Sequence, residues 1–280
     1  MKITFLGTAA IGYPLSFCNC DNCKNARLHK GKSIRKRASL LINDEMIIDL
    51  GPDVQTAMTM YDKDMGNVKY LLQTHPHLDH YNEEMLIARI PYMSMKNQYR
   101  LNIIAHPLCI DNMSSRISRF ENADLITEEG KEKLLVNTIS LNYGEKIDID
   151  NYQVKCIHTL HDEKHGSALF VVTYDNKNIF YATDTRSLTE EAIKELSEYK
   201  LDVIILDHTF GKTDYSFSHL NEDLFMKEIN NLKELNIIDN NTKIYGTHIS
   251  HDGMGCHDEI EEIAVNSGYN IAYDGLEINI

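Results

Sequence analysis

No apolar run in these 280 residues approaches the ~20 positions that a membrane-spanning helix requires. Positive charge is also scarce: 28 Lys and Arg stand against 42 Asp and Glu, a formal net charge of −14. So acidic a chain has no electrostatic grip on long nucleic acid, and a partner wrapped along a basic face is not expected. A small anionic substrate stays open, because bound cations reverse the local sign. Cysteine is too sparse for a secreted disulfide scaffold, with six in all, and Cys109, Cys156 and Cys256 read as buried reduced thiols. Proline is absent beyond position 107, and no stretch rich in Gly, Pro or Ser divides the chain. The N-terminal MKITFLGTAAIGYPL carries one lysine, and Thr4, Gly7, Thr8 and Gly12 interrupt its apolar run. It reads as a strand and a loop rather than a secretory leader. The expected setting is a reducing cytoplasm with no membrane partner.

What is present is globular: 42% hydrophobic and 25% charged residues. Apolar runs of strand length occur at 2–7, 38–51, 68–75, 101–106, 146–160, 168–185, 201–208 and 242–248. The run at 38–51 reads as a hairpin turning at Asn43-Asp44. Helical patterns occupy 53–63, roughly 81–90, 107–120, 188–199, 218–235 and 256–266. The charge run 127–133 reads as solvated. LLINDEMIIDLG and VTYDNKNIFYATDT echo each other: each is a hairpin ending in an acid and a turn, followed by a helix and a buried strand. The echo predicts an α/β protein with two pseudo-symmetric halves, their sheets face to face and helices outside. We expect one domain over 1–280, with halves of roughly 1–135 and 136–280.

THPHLDH (74–80) follows a buried strand and places His75, His77, Asp79 and His80 within six residues. Three imidazoles and a carboxylate are costly to desolvate unless they surround metal ions. CNCDNC (18–23) is too tight for comfortable mutual disulfides; Cys18, Cys20 and Cys23 suit a metal that needs a fourth ligand.

H-x-H-x-D-H after a strand resembles the metallo-β-lactamase fold hydrolases, and the likeness runs through most of the chain. FLGTAA resembles the family's opening strand and loop, and IIDLG places Asp49 where the family has an orienting acid. HTLHDEKHG, ATDT and GTHISH supply His161, Asp184 and His248 in order. The resemblance implies a four-layer αββα sandwich. It implies that His75, His77 and His161 hold one divalent cation and Asp79, His80 and His248 a second, either Zn2+ or Mn2+. Asp184 would bridge them, opposite a shared water or hydroxide. His165 is the rival to His161 in the third segment, where four residues rather than about five precede the glycine. His158 is expected on the opposite face of its strand. His106 and His29 read as structural or surface residues.

The cysteine run is similar to the cyclic-phosphate phosphodiesterase branch of that family, the PhnP type of phosphonate breakdown. That likeness implies a structural zinc held by Cys18, Cys20, Cys23 and His251, ahead of Cys256 and His257 as fourth ligand. It also implies a proton donor in His219, expected at a helix start with Ser218 as N-cap, and pocket-lining roles for Asp207 and His208. The expected activity is hydrolysis of a small cyclic or nucleotide-like phosphodiester, with Asp79, Asp184 and His219 in the chemistry. The alternatives are a tRNA 3′-processing ribonuclease, a lactone, thioester or lactam hydrolase, and a metal-binding accessory protein without turnover. A homodimer is the default oligomer.

Overall fold

The computed structural model describes residues 1–96, 98–253 and 255–280. Among the described residues, fourteen strands form two sheets. The first holds β1 (Lys2–Gly7), β2 (Ser39–Ile42), β3 (Met46–Ile48), β4 (Tyr70–Gln73), β5 (Leu101–Ala105) and β6 (Val136–Ser140). The second holds β7 (Lys146–Ile149), β8 (Tyr152–His158), β9 (Ala168–Tyr174), β10 (Lys177–Ala182), β11 (Val203–Asp207), β12 (Lys243–Thr247) and β13 (Asn270–Ile271). The C-terminal β14 (Glu277–Asn279) returns to the first sheet beside β1. Sheet order is β14-β1-β2-β3-β4-β5-β6 and β13-β12-β11-β10-β9-β8-β7.

The hairpins turn where two consecutive non-glycine residues adopt positive φ, Asn43-Asp44 (52° and 58°) and Asp175-Asn176 (51° and 58°). Asn and Asp tolerate that region better than other side chains, and two such residues match the twist of a two-residue hairpin. After each hairpin the chain runs parallel, β3-β4-β5-β6 and β10-β11-β12-β13.

Alternation along the parallel strands sorts the core. Ile48, Leu72 and Ile104 face the second sheet and pack with Phe170, Val172, Ile179 and Ile205. Their neighbours Ile47, Leu71 and Ile103 face outward, beneath α2 (Val54–Met60), α3 (Glu83–Ile87), α4 (Pro107–Ile117) and α5 (Glu128–Leu134), which follow α1 (Asp21–His29) in the chain. On the far side Phe180, Ile204 and Leu206 pack under α6 (Glu190–Leu196), α7 (Glu222–Glu234) and α8 (His257–Asn266). Strands buried on both faces must be apolar throughout, which is why they read as runs rather than as alternation.

Three elements depart from the expectations. The charge run at 127–133 is mostly solvated as expected, but it also forms most of the helix α5, capped by Thr127 and anchored by buried Leu134. Strand β6, VNTIS, carries too few apolar residues to be read as a strand and is placed by pairing with β5. Helix α7 starts at Glu222 with Asn221 as its cap, so Ser218 and His219 lie in the preceding loop.

Candidate active site

The parallel strands of both sheets deliver their carboxyl ends to one edge of the sandwich. Ligands of open α/β sheets bind at such edges, because loops there can converge without disturbing the ladder. Asp49 follows β3, His75 follows β4, Asp184 follows β10 and His248 follows β12. Asp49, Asp184 and His248 all have positive φ (65°, 52° and 63°). That conformation turns the backbone sharply out of the strand and aims each side chain into the cleft.

The converging donors fall into two overlapping triads. His75, His77 and His161 form one, and Asp79, His80 and His248 the other; within each, the ligand atoms lie within 4.8 Å of one another. Asp184 stands between them and divides its oxygens. Its Oδ2 is 2.8 Å from His80 Nε2 and 3.1 Å from His248 Nε2, while its Oδ1 is 3.4 Å from His161 Nε2. His161 rather than His165 joins the cluster; His165 sits half exposed at the rim with Nδ1 2.7 Å from Asp162.

Four of the five rings, all but His161, are oriented from behind. His80 Nδ1 lies 2.7 Å from Asp49 Oδ2, and His248 Nδ1 lies 2.8 Å from Thr209 Oγ1. His77 Nε2 lies 2.7 Å from Asp162 Oδ2. Thr74 Oγ1 donates to Asp49 Oδ1 at 2.7 Å and lies 2.9 Å from His75 Nδ1. One buried carboxylate therefore steers His80 directly and His75 through a hydroxyl. Gln73 Nε2 donates to Asp49 Oδ1 and to the carbonyls of His75 and His80, closing the loop around the ligands. Such outer partners fix the ring tautomer and set ligand basicity. Gln73, Thr74, Thr209 and Asp162 were not singled out in the sequence. The available signals were a glutamine inside the apolar run VKYLLQ and an acid adjacent to His161.

Charge in the cleft is unbalanced when only protein groups are counted. Burial alone would raise the Asp184 carboxyl, but His248, His80 and His75 outweigh it and hold it well below the carboxylate range. Burial and its neighbouring imidazoles push His75 well below the ordinary imidazole value. His80 is also opposed by burial, yet Asp184 and Asp49 carry it well above that value. The pairs His80 Nε2–His248 Nε2 (3.2 Å) and His161 Nε2–His77 Nδ1 (3.3 Å) point like atoms at each other. Buried His75 Nε2 has no hydrogen-bond partner. Buried polar atoms without partners are rare. A set of nitrogen and carboxylate donors arranged so fits divalent cations of the Zn2+ or Mn2+ kind.

A second donor group lies beyond His248 on the same loop. Cys18, Cys20, Cys23 and His251 bring four ligand atoms within 4.8 Å of one another. His251 Nδ1 is 3.4 Å from Cys20 Sγ and 3.6 Å from Cys18 Sγ. Cys20 caps α1 by accepting from the Cys23 amide, so the helix start fixes the spacing of the run. Asn22 Nδ2 donates to the His251 carbonyl at 2.8 Å and ties the two segments. The rivals are engaged elsewhere: Cys256 is the N-cap residue of α8, and the His257 ring lies against buried Arg35, with Nδ1 2.8 Å from Nη2.

His219 stacks on His248, ring centroids 5.3 Å apart, and its Nδ1 is 2.8 Å from Asp207 Oδ2. Burial opposes its protonation, but Asp207 and Asp184 prevail and raise its pKa to about 9. Asp207 therefore sits directly behind the site. His208 turns away, to Glu222 and Tyr269. His158 ends β8 and lies against Glu163 and Tyr143, outside the cluster, and His106 caps α4.

Two donor triads with a carboxylate between them, at the common edge of two sheets packed face to face, match a metallo-β-lactamase fold hydrolase. The chain belongs to the β-lactamase superfamily: residues 45–249 match the family described as Beta-lactamase superfamily domain. Among solved structures it is similar to a diphosphatase from the PhnP family, at 18% identity and a TM-score of 0.74 over 100% of this chain and 97% of that one. It is also similar to zinc-bound PqqB from Methylobacterium extorquens (16%, TM-score 0.72, 100% of both chains). The short form of human tRNase Z is a third (18%, TM-score 0.64, 100% and 99%). At these identities the likeness is one of fold. No curated protein matches the chain. No helix among the described residues is long and apolar enough to cross a membrane.

Proposed function

We propose that the protein is a metal-dependent phosphodiesterase acting on a small cyclic or nucleotide-like phosphodiester. The observation that carries this reading is Asp184 with one oxygen toward each triad and His219 beside it. His75, His77 and His161 would hold one divalent cation, Asp79, His80 and His248 the other, and Asp184 both. Such a pair lowers the pKa of a nearby water and neutralises charge that builds on phosphate oxygens.

The chain's own residues supply the rest. Water's oxygen bonds to phosphorus while the P–O bond to the leaving group breaks. Asp79, more open than Asp184 (14% against 5% side-chain exposure), accepts the water's proton. The leaving oxygen takes the Nε2 proton of His219. Asp207 holds the opposite nitrogen, so the imidazolium is both aimed and stabilised. Bound cations would draw its pKa back from 9 toward neutrality, where a general acid works best. Cys18, Cys20, Cys23 and His251 would hold a structural zinc, since thiolate-rich tetrahedral sites favour that metal. The net charge of −14 supports a small substrate over a long RNA.

Bis-p-nitrophenyl phosphate turnover with added Mn2+ or Zn2+ tests the reading against matched lactone, thioester and lactam substrates. Preference for the phosphodiester is expected; preference for a carbon ester or lactam sinks it. The variant His219→Ala should keep its metal content and lose roughly 100-fold or more in kcat. Full activity in that variant removes the proton-donor role.

A further inference from the structure

The phosphodiesterase reading leaves the leaving group unspecified, and the structure carries more on this point. A cavity of about 190 Å3 opens on the His219 side of the cluster. Ile11, Leu15, Phe210 and Ile249 line it together with His219, His251, Ser250 and Asp252. A larger groove of about 850 Å3 runs alongside over the cysteine run. His219 lines the smaller space and not the larger, so the chemistry selects the smaller.

A general acid protonates the group that departs, so the leaving group must lie on the His219 side. That side sets the apolar Ile11, Leu15, Phe210 and Ile249 among its polar groups, and a bare sugar or glycerol does not require such a wall. Size agrees with a ring: an apolar cavity of about 150 Å3 in another protein takes up benzene. The wall residue Phe210 belongs to an aromatic cluster on the loop that carries His219. Phe210 meets Tyr215 at 5.1 Å and Phe217 at 6.1 Å between ring centroids, and Tyr215 meets Phe217 at 5.4 Å. Phe210 also stands edge-on to His219 at 5.6 Å. Phe217 is 69% exposed and Tyr215 40%, although large aromatic side chains are usually covered. An open platform of this kind is sequence-tolerant and binds planar rings by stacking.

We propose that this cavity receives the leaving group and that Phe210, with Tyr215 and Phe217, selects leaving groups bearing a planar aromatic ring. The proposal rests on the phosphodiesterase reading. Ser250 and Asp252 on the cavity wall offer hydrogen-bond acceptors, so a nucleobase with N–H donors is served at its edge as well as its face.

The test holds the leaving oxygen constant and varies only the ring. Three substrates are compared on the metal-loaded enzyme: a nucleoside 2′,3′-cyclic phosphate, the phenyl riboside 2′,3′-cyclic phosphate, and the 1-O-methylriboside 2′,3′-cyclic phosphate. Both ring-bearing substrates should exceed the methyl riboside by about tenfold or more in kcat/KM. Advantage for the nucleoside above the phenyl compound assigns a role to the Ser250–Asp252 edge; equality of the two assigns the effect to stacking alone. Phe210→Ala and the exposed Phe217→Ala should each reduce the ring-to-methyl ratio, and Phe210→Tyr should restore it. A ratio near one in the native enzyme, or one unchanged in both alanine variants, overturns the subsite. Absence of any phosphodiester turnover, including bis-p-nitrophenyl phosphate, instead removes the underlying reading, so the two failures are distinguishable.

Discussion

The two candidate metal sites share one short loop after β12, three residues apart, yet they are built in different ways. Around His248, nearly every ring is braced by an oxygen, from buried Asp49, Thr74 and Thr209 or from partly exposed Asp162. Around His251 the bracing is slight. Cys20 is exposed and Cys18 half exposed, with only Cys23 buried, and the contacts are local: amides of the run, Arg27 on the Cys18 carbonyl, the Asn22 link and Asp252 Oδ1 3.4 Å from His251 Nε2. The family match also separates them. His75 through His248 lie within residues 45–249, while the cysteine run and His251 lie outside that span. A site braced by its scaffold can keep its geometry without cations. A site made from two segments far apart in the chain gains from an ion that holds them together, and there binding free energy becomes folding free energy.

Removing the bridge should have the largest effect. Asp184→Asn keeps the shape but removes the charge that both triads share. Catalytic loss should exceed the ~10–100-fold typical for an outer partner, with metal stoichiometry reduced by elemental analysis. Loss no greater than that of Asp49→Asn would remove the bridging role.

Cys20→Ser or His251→Ala should separate stability from chemistry. If the second site is a structural clamp, the melting temperature should fall by roughly 5 °C, since losing about 3 kcal/mol shifts a chain of this size by that order. A chelator should then destabilise the native protein more than it destabilises either variant. Equal shifts would show that the clamp is not a metal site.

Asp49→Asn probes the bracing itself. Metal affinity, read by competition with a chelator, should drop by roughly 10–100-fold while the fold persists, because Asn can still accept from Thr74 but cannot pair with the His80 ring in the same way.

The smallest effect lies beside neither site. Burial and the neighbouring Arg35 push buried His257 down to about 4, below the ordinary imidazole value. The unfolded chain therefore binds more protons between about pH 6.5 and 4, and this contribution to stability is present above that window and lost as pH falls through it. His257→Gln cannot titrate, so the gap in melting temperature between it and the native protein should narrow from pH 7 to about 4.5. A gap that stays constant would show that the His257 pKa is not shifted.

The bare order of motifs was legible because strand ends and histidine spacing are local. H-x-H-x-D-H is a loop motif, and its ligands are fixed within a few residues of a buried strand. The same local reasoning missed β6 and α5, whose identities depend on what they pack against rather than on their own composition. It also placed His219 at a helix start, because the serine before it resembles a cap, whereas Asn221 takes that position.

Composition, charge and spacing by themselves determined that this is an acidic α/β protein with a histidine-rich strand end and a three-thiol run. Tertiary structure alone decided how Asp184 divides its oxygens, that His161 and not His165 enters the cleft, and that His251 closes the thiols. It also decided that Asp207 stands behind His219 and that rings gather beside it. These facts concern side chains far apart in the chain that meet only when two sheets pack. Local sequence carries no record of which pairs of surfaces will face each other across a cleft.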